Sequence, residues 1–133
     1  MQKAAVEDET EARAPAQAIP IKSMAEFDKR IREAAHHQPV LIQFTAQWCR
    51  RCGTLKQEVT EAFDESLCWL TVDIDELSDM QERFNVTQLP RFDVYCGGKT
   101  DSVEAFDAKL DEVKRMLAAA TAERPVLELS EAF

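Results

Sequence analysis

Two short segments of this 133-residue chain are apolar almost without a break: Val40 to Phe44 reads VLIQF, and Cys68 to Ile74 reads CWLTVDI. Neither shows the apolar-polar alternation of a sheet with one wet face, so each is expected to be a strand buried on both faces. Between them Leu55, Val59, Ala62 and Phe63 recur at helical spacing, which makes the stretch from Arg50 onward a helix. Strand, helix and second buried strand form a βαβ unit, and such a unit needs helices on both faces of its sheet.

The flanking sequence extends that unit. AIPIKS (Ala18–Ser23) is a short candidate strand, and Ser23 with Glu26 three residues on forms a capping box. The helix it opens carries Met24, Phe27, Ile31 and Ala34 on one face and is expected to end near His37, before Pro39. Downstream, Leu77, Met80 and Phe84 mark a short helix. RFDVYC (Arg91–Cys96) then reads as a strand ending at Gly97-Gly98, a hairpin turn into KTDSVEAF (Lys99–Phe106). Asp107 caps a last helix with Leu110, Val113 and Leu117 inward. The order is βαβαβαββα, an α/β fold with a mixed central sheet and helices on both faces. Residues 1–18 read as a flexible extension, 19–121 as the single domain and 122–133 as a tail, whose Val126, Leu127, Leu129 and Phe133 either dock or fray.

Composition narrows the partners. A hydrophobic share of 45% with 31% charged residues suits a globular chain, and the net charge of -9 argues against nucleic acid or an anionic membrane surface. No run approaches the roughly 18 apolar residues of a membrane span. The N-terminus MQKAAVEDETEAR has no apolar signal core and carries Glu7, Asp8, Glu9 and Glu11, so a cytoplasmic location is expected.

Against that acidic background stands FTAQWCRRC, Phe44 to Cys52, with two arginines between two cysteines. A Cys-x-x-Cys pair opening a helix after a buried strand is a redox arrangement. A thiolate in the first turn meets unpaired N–H groups and the positive end of the helix dipole, which lower its pKa. The second cysteine lies one turn deeper and within reach of a mixed disulfide on the first. Cys49 is therefore expected to attack and Cys52 to resolve. Cys68 and Cys96 lack partners by spacing and read as structural thiols. A zinc site from Cys49, Cys52, His36 and His37 fails because neighbouring side chains on a helix point different ways, so no metal is expected.

VLIQFTAQWCRRC, LTVDID and FNVTQLPRFDVY together resemble, in order and spacing, the thioredoxin family over roughly residues 19 to 120. The resemblance implies the thioredoxin fold, a protein-disulfide oxidoreductase, a cis-proline at Pro90 after Leu89, and Trp48 flanking the nucleophile. It implies no built-in cofactor, with electrons supplied by a separate reductase or a small thiol. Three departures stand out. Arg50 and Arg51 replace the family's usual Gly-Pro, and Gln43 and Thr71 stand where the family keeps a buried Asp and a Lys. Arg91, next to Pro90, is a charge the family seldom has there.

Two guanidiniums beside Cys49 favour its thiolate and make the disulfide more oxidising, so a poise less reducing than ordinary thioredoxin is expected; otherwise they are solvated surface charges. Losing the acid and the lysine together avoids an unpaired buried charge, but a neutral Gln43 cannot take the proton of Cys52, so resolution is expected to be slow. Arg91 shares a strand face with Asp93 and either pairs with it or joins Arg50 and Arg51 in a basic rim for an acidic target or an anionic thiol such as glutathione. The altered positions also keep open a second reading, a thioredoxin-like protein-interaction module with vestigial redox activity.

Overall fold

Burial on both faces sets the sheet order. The computed structural model describes residues 13–34, 38–104 and 108–132, of which 122–132 by backbone alone. Its strands are β1 (Ile19–Pro20), β2 (Val40–Thr45), β3 (Cys68–Asp73), β4 (Arg91–Cys96) and β5 (Lys99–Glu104), and its helices α1 (Met24–Glu33), α2 (Arg50–Ala62), α3 (Ser78–Arg83) and α4 (Leu110–Ala132). Val40–Phe44 are buried at every position, and β2 accordingly lies at the centre of the order β1-β3-β2-β4-β5. β1 and β2 run parallel to β3, while β4 is antiparallel to β2 and to β5.

Side chains alternate between two cores. On one face Leu41, Trp69, Phe92 and Val94 meet Leu55 and Val59 of α2 and Val113, Met116 and Leu117 of α4. On the other, Val40, Ile42, Phe44, Leu70 and Val72 meet Phe27 of α1 and Met80 of α3. Each large apolar side chain withdrawn from water contributes about 1.5–3 kcal/mol, so a sheet covered on both sides is the arrangement this pattern favours.

The local signals act as written. The Ser23 hydroxyl accepts from Glu26 N at 3.0 Å, and Glu26 Oε1 reaches back to accept from Lys22 N at 2.6 Å, which satisfies donors that the first turn of α1 leaves open. Gly97 and Gly98 take φ of 57° and 89°, the left-handed pair that a two-residue hairpin requires. α1 stops earlier than expected: Ala34 turns extended, and His36 and His37 lie outside the described residues, as does Asp107. β1 is only Ile19–Pro20, and Ile21 N–H continues its bonding to β3 by donating to Thr71 O at 2.9 Å.

Within the segment expected to be a flexible extension, residues 13–18 are held against the connection between α2 and β3. Ala16 is buried, its N–H donates to Phe63 O at 3.0 Å, and Glu65 N donates to Ala14 O at 2.9 Å. Arg13 pairs with Asp64 at 2.6 Å; bonds from the Ser66 hydroxyl and N–H, and then from Arg13, hold the Asp64 carboxyl down to about 2. At the other end the backbone of α4 stays helical past Pro125 to Ala132, where a separate tail from residue 122 was expected. The alanines at 118–120 and 122 are the strongest helix formers and carry the helix on. No described helix is long and apolar enough to cross a membrane.

Candidate active site

α2 begins where the chain leaves the carboxyl end of β2. Cys49 N–H donates to Ala46 O at 3.0 Å, and the turn delivers Cys49 to the N-cap of α2 in an extended conformation. There its Sγ accepts from the backbone N–H of Cys52 at 3.2 Å, the bond that a serine or aspartate would accept at an ordinary N-cap. Leu55 and Val59 anchor α2 in the core, and Cys52, on the same face, is 1% exposed, whereas Cys49 remains half-buried at the rim. The two are joined as a disulfide across a Cα–Cα distance of 5.3 Å. One sulfur is thus accessible and held at a helix N-terminus with no acidic residue in its first turn, and the other lies beneath it.

The two arginines diverge. Arg51 Nη2 donates to Ala108 O at 3.1 Å, tying the start of α2 to the segment before α4. Its side chain lines a cleft of about 280 Å³ together with Glu58, Lys109 and Asp111. Arg50 is exposed and makes no ion pair among the described residues.

Beneath the motif, Gln43 is fully buried, paired with Thr71 on β3 and Phe92 on β4. Its Nε2 donates to the carbonyl of Cys52 at 3.1 Å, while its Oε1 has no partner among the described residues. Gln43 and Thr71 are cross-strand partners, but the amide bonds to Cys52 O and no hydrogen bond between the two side chains is present among the described residues.

The opposite lip comes from β4. The pairing Phe44↔Arg91 brings Pro90 to the carboxyl end of β2, the end from which the motif departs. Leu89–Pro90 is a cis peptide, Pro90 is buried and Leu89 packs on the α1–α3 core. Trp48 stands out at 67% exposure, the one large apolar side chain left in solvent among those described.

Arg91 pairs with Asp93, Nε to Oδ1 at 2.8 Å and Nη2 to Oδ2 at 3.2 Å. Its Nη1 also reaches Phe84 O at 2.9 Å, Asn85 O at 3.2 Å and Glu104 Oε2 at 3.3 Å, and the guanidinium lies over the Phe44 ring. Burial alone would lower the pKa of Arg91, but the bond and charge of Asp93 and the charge of Glu104 outweigh it and raise it. Most of its donors are therefore turned into the protein. The reach of Arg91 to the end of α3, the tether of Arg51 and the amide bond to Cys52 O are the contacts the sequence reading lacked. None of the three left a trace in the sequence, whereas the Arg91–Asp93 pair is the one that their shared strand face offered.

Cys68 is half-buried and Cys96 buried, and both are free thiols. Burial pushes the Cys68 thiol up, with Arg30 acting weakly the other way, so it is a poor nucleophile. Among the described residues no group of three or more His, Cys, Asp and Glu is gathered to hold a metal.

With this geometry in hand, comparison with known proteins is direct. The family model described as Thioredoxin matches residues 18–119. A thioredoxin H-type of Chlamydomonas reinhardtii is 30% identical over 105 residues, 75% of this chain and 91% of that protein. Among solved structures, thioredoxin NaTrxh from Nicotiana alata superposes with a TM-score of 0.68 at 23% identity, covering 80% of this chain and 94% of that one. Plasmodium falciparum thioredoxin gives 0.63 at 28% identity, covering 76% and 97%. The chain belongs to the thioredoxin family and is a thiol-disulfide oxidoreductase whose active-site pair is Cys49 and Cys52.

Proposed function

We propose that this protein reduces or exchanges disulfides of other proteins, in a reducing compartment such as the cytoplasm, at a potential less reducing than that of ordinary thioredoxin. The observation that carries this reading is the Cys49 sulfur at the N-cap of α2, accepting from Cys52 N. In the reduced protein the Cys49 thiolate attacks one sulfur of a substrate disulfide, forming a mixed disulfide and expelling the first substrate thiolate. Cys52 then attacks Cys49 Sγ, closing the internal disulfide and releasing the second substrate thiol. Two electrons and two protons from a separate reductase or a small thiol reopen it. Trp48 and the Leu89–Pro90 lip border the groove that the substrate segment enters.

Arg50, exposed and adjacent to Cys49, favours the thiolate and hence the reduced form. Titration of the Cys49/Cys52 couple against glutathione is expected to give a potential above the roughly -270 mV typical of thioredoxin. Replacing Arg50 by Gln lowers it by about 6–20 mV, the effect of 0.3–1 kcal/mol on a two-electron couple. A wild-type value at the thioredoxin figure overturns the proposed poise.

The second step is the slow one in this reading, because Gln43 offers no base to the Cys52 thiol. In Gln43→Asp the mixed disulfide on Cys49 is expected to decay about a hundredfold faster, the low end of what a positioned general base supplies. Unchanged decay would remove Gln43 from the kinetics and favour the second reading, an interaction module whose groove captures partners without turning over.

A further inference from the structure

Gln43 Oε1 is a fully buried acceptor without a partner among the described residues, in a protein whose disulfide is closed. Leaving such an acceptor bare in the interior is costly, so a sequence that retains it gains something in another state. Its place identifies that state. The Nε2 of the same planar amide donates to the Cys52 carbonyl at 3.1 Å, which keeps the amide against the one residue of the pair whose side chain is 1% exposed. In the disulfide Cys52 Sγ carries no hydrogen. Reduction by two electrons and two protons breaks the S–S bond and places a hydrogen on Cys52 Sγ, creating one new buried donor on the residue that the amide already contacts.

We propose, building on the oxidoreductase reading, that the Cys52 thiol of the reduced protein donates to Gln43 Oε1, so that Gln43 is a positioning residue that recognises the redox state of the pair. Its two ends divide the work. The Nε2 bond to the Cys52 carbonyl exists in the oxidised protein and fixes the height of α2 over the sheet. The Oε1 bond exists only in the dithiol, and therefore weights the equilibrium toward it. An amide does this without gaining or losing a proton, unlike a buried carboxylate.

The test uses the full chain and Gln43→Met, which fills the space and offers no comparable acceptor. Its equilibrium with glutathione is expected to shift about two- to tenfold toward the disulfide, the range of one ordinary hydrogen bond. In urea unfolding, the substitution destabilises the dithiol form more than the disulfide form, since packing and the Nε2 bond are common to both. Equal losses in the two forms, as a bound water satisfying Oε1 in each would give, overturn the proposal, as does an unshifted equilibrium. A wild-type protein that never exchanges with glutathione would instead overturn the oxidoreductase reading. Should Gln43→Met not fold, the infrared difference between reduced Cys49→Ser and Cys49→Ser/Cys52→Ser isolates the Cys52 S–H stretch. A band lowered by hydrogen bonding supports the assignment; one at the position of a free thiol sinks it.

Discussion

Insulin precipitation driven by dithiothreitol is accelerated by the wild-type protein and falls to the uncatalysed rate in Cys49→Ser. The hydroxyl has the size and the N-cap position of the thiol, so it keeps the bond from Cys52 N that the Cys49 sulfur accepts at 3.2 Å. What it lacks is ionisation near neutral pH, and only the anion attacks a disulfide. The fold is therefore intact while turnover is lost, which separates a chemical role from a structural one. Cys52→Ser fails differently. Cys49 still attacks, but Cys52, 1% exposed beneath it, no longer closes the ring, and an equimolar mixed disulfide with the substrate accumulates. Residual acceleration in Cys49→Ser would move the nucleophile to another sulfur, and burial has already made Cys68 a poor candidate.

How much of this was legible beforehand follows from which forces act locally. The continuous apolar runs of β2 and β3 had no soluble arrangement except a covered sheet, and Ser23, Gly97 and Gly98 specified their turns through short-range chemistry. The cysteine pair was legible for the same reason, since helical spacing alone places one sulfur at the N-cap and the other a turn inward. Less visible were contacts between residues far apart in sequence. Nothing near Arg51 announces Ala108, 57 residues away, nor does Ala16 declare that it docks on Phe63. The early end of α1 is likewise not announced by its own residues, where propensity is a weak guide. Gln43 is intermediate: its burial and its neighbour Thr71 follow from register, but the hand it extends to the Cys52 carbonyl does not.

Arg91→Leu is expected to lower the folding free energy by about 3 kcal/mol, the low end for removing one member of a buried ion pair. For a chain of this size that is a fall in Tm of about 10 °C. The loss comes mainly from what is left behind. Asp93, 1% exposed and on a strand between two others, is left with no cation to face, and the carbonyls of Phe84 and Asn85 lose the donor that closes the end of α3. The double variant Arg91→Leu/Asp93→Leu should recover about 2 kcal/mol, because a pair of apolar side chains avoids the desolvation that both charges incur. Glu104, one-third exposed, is hydrated without Arg91 and contributes little to the difference. A single variant within about 1 kcal/mol of wild type, or a double variant no better than the single, would mean that the guanidinium is not what holds this corner. The distinction matters for the site, since Arg91 follows Pro90 directly and joins β4, β5 and the end of α3 next to the cis peptide. An ion pair imposes one register and one orientation, where apolar side chains tolerate several, so the double variant is also expected to be stable yet slower with insulin than wild type.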